Sequence, residues 1–75
     1  MKVLKVRKLR YYTLYDNVSE YQLLEELGLP DPGDCLTFEE SYKRHCENVR
    51  VILGYYRSKG FTHIHDEAAN SFAVL

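Results

Sequence analysis

The 75 residues include no tryptophan, only two prolines, two cysteines and four glycines. So little proline and glycine leaves nothing that reads as a linker, and there are no repeats or low-complexity segments, so a single domain spanning residues 1–75 is expected. The longest apolar runs are a few residues, too short for a transmembrane helix, and Met1-Lys2-Val3-Leu4-Lys5 is broken by charge too early for a signal peptide. These absences point to a cytoplasmic protein. No glycine-rich elbow or phosphate loop is present, and no serine or cysteine stands in a recognisable pairing with a base, so no catalytic constellation emerges. A chain of this size also has little room for a substrate cleft beside its core. A non-enzymatic role without cofactor or metal is expected.

Charge of one sign is missing from the start of the chain. The first ten residues contain Lys2, Lys5, Arg7, Lys8 and Arg10 and no acid, whereas the remainder carries five basic and eleven acidic residues, for a net charge of −1. Such polarity steers association with an acidic partner, while the acidic remainder opposes wrapping by nucleic acid.

What is present divides into five segments. Lys2 to about Tyr15 is β-rich and alternates in pieces, as one long twisted strand with a bulge at Arg7 and Lys8. Asp16-Asn17 ends it. Asn17 or Ser19 then caps a helix running to Leu27, with Tyr21, Leu23, Leu24 and Leu27 inward, until Gly28 stops it. Pro30-Asp31-Pro32-Gly33-Asp34 forms a turn-rich connector whose spacing is not that of a calcium loop.

Thr37 followed by Glu40 is a capping box that opens a long helix from Phe38 to about Ser58, with Gly60 as its left-handed stop. A rotation of about 100° per residue places Phe38, Tyr42, His45, Cys46, Val49, Ile52, Leu53 and Tyr56 on one inward arc. Cys46 lies on that arc and Cys35 in the connector, so both read as free, buried thiols.

Phe61–His65 and Phe72–Leu75 are two strands of a hairpin. Pairing Ile64 with Phe72 would turn Thr62, Ile64, Phe72 and Val74 inward and leave His63, His65 and Ala73 on an open face. The fold expected is α+β, a β-α-α-β-β domain with a three-stranded antiparallel sheet and both helices on one face.

Candidate sites are surface features. Tyr11, Tyr12, Tyr15, Val51 and Tyr55 are the expected protein-contact residues. Val51 and Tyr55 fall outside the inward arc, and seven tyrosines exceed what so small a core needs. With the basic first strand as electrostatic guide, these residues suit a protein-binding module, an accessory or inhibitory protein that occupies a surface of a larger partner. The short, tail-free chain resembles a stand-alone gene product of the phage or mobile-element type.

The alternative is a nucleic-acid-binding domain in which Lys5, Arg7 and Lys8 of the strand, with Lys43, Arg50 and Arg57 of the helix, contact phosphates. A homodimer joined by strand edges or by Val51 and Tyr55 is a third reading. His63 and His65 have the spacing of two strand ligands, but two ligands do not make a metal site.

Overall fold

In the computed structural model, which describes residues 1–75, the chain is an α+β domain with two helices and a five-stranded mixed sheet. The strands are β1 (Val3–Lys8), β2 (Thr13–Tyr15), β3 (Val18–Ser19), β4 (His63–Asp66) and β5 (Ser71–Val74), and the helices are α1 (Glu20–Leu27) and α2 (Phe38–Ser58). The sheet order is β3-β2-β1-β4-β5, in which β1 and β4 run parallel and every other pair antiparallel.

The three-stranded antiparallel sheet expected from sequence is therefore corrected in two respects. First, the stretch from Lys2 to Tyr15 is two strands rather than one bulged strand. The chain turns between Lys8 and Thr13, where the Leu9 amide donates to the Tyr12 carbonyl at 2.8 Å. A second reversal follows at Asp16 and Asn17, whose φ angles of 51° and 66° make a two-residue hairpin turn joining Tyr15 to Val18. Positive φ at both central positions matches the right-handed twist of the strands, and Asn and Asp tolerate that region best after glycine.

Second, β4 lies parallel to β1 because no hairpin joins them. The 21 residues of α2 carry the chain back by about 30 Å, at 1.5 Å per residue. They deliver it beside the start of β1, where the Thr62 amide donates to the Lys2 carbonyl at 2.9 Å. From there β4 must run in the direction of β1.

Both helix starts follow the sequence. Ser19 Oγ accepts from the Gln22 amide and Thr37 Oγ1 from the Glu40 amide, each at 3.2 Å. Gly28, at φ 66°, closes α1 in the left-handed conformation that favours glycine. Between the helices, Pro32–Asp34 forms one 3₁₀ turn, entered through the Asp31 carboxylate, which accepts from the Gly33 amide at 2.8 Å.

The core is Leu4, Val6, Tyr15, Leu23, Leu24, Ile52, Tyr56 and Phe61, with Asn48 as its single buried polar residue. Tyr56 is its hub. The ring stacks with Tyr15 at 6.4 Å and meets Phe61 edge-on at 5.4 Å, and its hydroxyl donates to the Tyr15 carbonyl at 3.1 Å. The Asn48 amide donates to the Pro30 carbonyl at 2.8 Å and so fastens the connector to α2.

The inward arc of α2 is thus rotated by about 60° from the one the sequence suggested, toward Asn48. It is also shorter. Phe38 and Tyr42 were expected inside but are 84% and 62% exposed, because the first turns of α2 extend past the sheet. Tyr21, also expected inside, is exposed, and Cys35 and Cys46 are half-buried free thiols.

The β4–β5 register differs by one residue from the expected one: Ile64 opposes Ala73, and His65 opposes Phe72. The loop decides this. The Asp66 carboxylate accepts from the Ala68 and Ala69 amides, and Asn70 takes φ 50°, which fixes a four-residue connection. A shift of one residue reverses every side chain of the strand, so Phe72 and Val74 leave the helix side.

Candidate binding surfaces

Leu4 and Val6 of β1 share one core with Leu23 and Leu24 of α1 and Ile52 and Tyr56 of α2, and the opposite, bare side of the sheet has no buried residue. Strand alternation and the observed pairings place Val3, Lys5 and Arg7 of β1, His63 and His65 of β4, and Phe72 and Val74 of β5 on that side. Two cross-strand rows result, Lys5–His65–Phe72 and Val3–His63–Val74. The Phe72 ring lies 5.5 Å from the His63 ring at 28° and 6.1 Å from the His65 ring at 44°, so two imidazoles flank one half-exposed aromatic face. Phe72 and Val74 retain 55% and 78% of their exposure.

The electrostatics of this face are one-sided. No strand places a carboxylate on it; the acid nearest to it, Glu67, follows β4 and receives Arg7 Nε at 3.3 Å. Asp66 points to the helix side, where Lys8 Nζ lies 3.5 Å from it. The Ala69 amide, then Lys8 and the Ala68 amide, hold the Asp66 carboxyl below the usual range against the opposing effect of desolvation.

The expected protein-contact residues are dispersed. Tyr11 and Tyr12 are exposed on the β1–β2 turn, at 75% and 44%. Arg10 sits 5.4 Å over the Tyr11 ring. Tyr15 is corrected: it is 5% exposed and belongs to the core, so it has no surface to offer. Burial, and next the neighbouring Glu20 carboxylate, push its phenol far above the ordinary range.

Val51 is exposed on α2, but Tyr55 is half-buried, its ring edge-on to Tyr56 at 5.2 Å with Lys59 Nζ 4.4 Å above it. The sequence missed Phe72 and Val74, because the hairpin register alone decides which way they face. It also missed Leu36, Phe38 and Tyr42 as surface residues.

The composite phosphate-contacting set does not assemble. Lys5 and Arg7 lie on the bare side of the sheet, Lys8 points toward the helix side, and Lys43, Arg50 and Arg57 are exposed on the side of α2 turned away from the core. The sheet and the core separate the two groups.

His63 and His65 share a face, but no three His, Cys, Asp or Glu side chains gather as metal ligands anywhere in the structure. Cys35 borders a shallow polar cavity of about 220 Å³ with Glu40, Lys43, Arg44 and Glu47. No histidine lines it. No helix is long and apolar enough to cross a membrane. No family model matches the chain, and neither a curated protein nor a solved structure matches it.

Proposed function

We propose that the chain is a non-enzymatic protein-binding module that lays the bare side of its sheet on an acidic surface of a larger partner. The observation that carries this reading is the one-sided sheet, where Phe72 and Val74 stand exposed among Lys5, Arg7, His63 and His65 with no strand carboxylate beside them. An aromatic and aliphatic centre with a cationic rim is the composition of a protein interface, and the rim selects an acidic counterpart. Tyr11 and Tyr12, on the turn that leaves β1, extend the contact at one end. The setting that suits so small a module is cytoplasmic, as an accessory or inhibitory protein of the phage or mobile-element kind.

Affinity capture from the native cytoplasm tests the reading with three baits: the wild type, Phe72→Ala and Lys5→Glu/Arg7→Glu. The expected result is an acidic protein retained by the wild type and lost with both variants, each of which melts like the wild type. Equal retention by all three baits would overturn it.

A second reading uses the same face. An exposed aromatic ring on a face that also carries lysine and arginine suits a single-stranded nucleic acid, whose bases stack while lysine and arginine meet phosphates. Here only Lys5 and Arg7 supply permanent charge, and Arg7 is already paired with Glu67. This is thin for a polyanion. Titration of a labelled mixed-sequence oligonucleotide at low salt decides it: saturable binding that Phe72→Ala removes would replace the protein reading.

A further inference from the structure

The two imidazoles that flank Phe72 are the groups on the bare side of the sheet whose charge is not fixed. Lys5 stands beside His65 in its cross-strand row and forms no ion pair, while Arg7 is offset by Glu67 at 3.3 Å. Lys5 is thus the one uncompensated permanent charge there. Protonation of His63 and His65 adds two more, on either side of the aromatic centre. Histidine is the side chain that makes this change between about pH 5 and 8.

We propose that His63 and His65 gate this face by pH, so that it holds an acidic polypeptide surface tightly below about pH 6 and loosens above about pH 7.5. The gate rests on the sheet-face reading and adds its regulation.

Every strand beside the rings bears on the sign. From β5, Phe72 presents its π-system to both imidazoles at 5.5 and 6.1 Å, which favours the cationic form, and Val74, opposite His63, is neutral. From β1, Lys5 opposes a charge on His65, Arg7 adds to this only what Glu67 leaves uncancelled, and Val3 beside His63 is neutral. Thr62 Oγ1 donates to the Lys2 carbonyl at 3.4 Å and so accepts from His63 Nδ1 at 2.8 Å, which leaves Nε2 as the nitrogen that gains the proton. Asp66 and Lys8 pair on the helix side, and Lys2 lies over the Phe61 ring of the core. In the free chain, therefore, an aromatic ring and a lysine pull in opposite directions. A partner carboxylate set against the rings tips them to the charged form, and by linkage the charged form binds that carboxylate more tightly.

A fluorescent random copolymer of glutamate and tyrosine, titrated with the full chain at low salt, tests the gate, because its carboxylates stay ionised above about pH 5.5. The wild type is expected to bind it at least about fivefold more tightly at pH ~5.5 than at pH ~7.5, and calorimetry in two buffers of different ionisation enthalpy should show net proton uptake. His63→Gln/His65→Gln should have one affinity at both pH values. His45→Gln, whose imidazole sits on α2 at 3.7 Å from Glu20, should keep the wild-type pH dependence. Wild-type affinity that is equal at the two pH values, absence of saturable binding or of proton uptake at the lower one, or a pH dependence that survives in His63→Gln/His65→Gln would each overturn the gate. If pH-independent binding is still lost with Phe72→Ala, the sheet-face reading stands without the gate. If Phe72→Ala and Lys5→Glu/Arg7→Glu both bind as the wild type does, the reading and the gate fall together.

Discussion

Ile52 and Phe38 lie close in angle around α2, yet one is fully buried and the other almost wholly exposed. Periodicity gives the angle around a helix and says nothing about where along it the neighbouring layer ends. Consequently Ile52→Ala should cost about 2–5 kcal/mol, enough to unfold most of so small a domain, whereas Phe38→Ala should leave the melting temperature nearly unchanged. Equal losses in the two variants would contradict the placement of the core.

Tyr56 makes the second prediction at this scale. Burial first, and next the Asp16 carboxylate, raise its phenol from 10.0 to about 12. A hydroxyl harder to ionise in the folded chain than in the unfolded one contributes stability that is complete below pH 10 and is lost as pH rises toward 12. Denaturant midpoints should therefore be flat up to about pH 10 and fall above it, with a smaller fall in Tyr56→Phe. A midpoint already falling between pH 7 and 9 would contradict this, since Tyr56 still holds its proton in both states there.

Among the elements, both helices were legible because their signals are local: a capping hydroxyl three residues before the amide it accepts from, and a glycine at the stop. Strand boundaries near the start were not, because the run from Lys2 to Tyr15 is uniformly β-favouring and its first turn contains neither glycine nor proline. The second turn did leave a trace. Asp16-Asn17 was readable as a break, but its role as a hairpin turn depends on the left-handed conformation of both residues.

That conformation yields a prediction. Asn17→Gly should be neutral or slightly stabilising, while Asn17→Val should cost about 1–2 kcal/mol, since a β-branched residue resists φ 66°. Thermal melts of the pair decide it, and similar values for both variants would remove the turn between β2 and β3.

For the whole molecule, the order of strand and helix segments gave the class, α+β, and failed on topology for one reason. The order of strands in a sheet depends on how far the connecting helices carry the chain, and α2 returns it to the start of β1 instead of leaving it near β3. The same helix overshoots the sheet. The radius of gyration is 12.5 Å, against about 11 Å expected for a compact chain of this length, and the long dimension is 40 Å. The candidate surface was half legible: Lys5 and Arg7 were singled out from their charge, and His63 and His65 from their alternation. Phe72 and Val74 joined them only through a register that the Asp66–Asn70 loop sets. The composition of β5 points the other way, since its large apolar residues, Phe72 and Val74, alternate with Ser71 and Ala73 and read as the inward face.

The claim on which the rest depends is that the bare side of the sheet is where the partner sits. Nuclear magnetic resonance of the isotope-labelled chain, titrated with the captured acidic partner, reads this residue by residue. Perturbed signals should cluster at Lys5, Arg7, His63, His65, Phe72 and Val74, with Lys43, Arg50 and Arg57 unchanged. Perturbations confined to those three helix residues, with the sheet signals still, would contradict it.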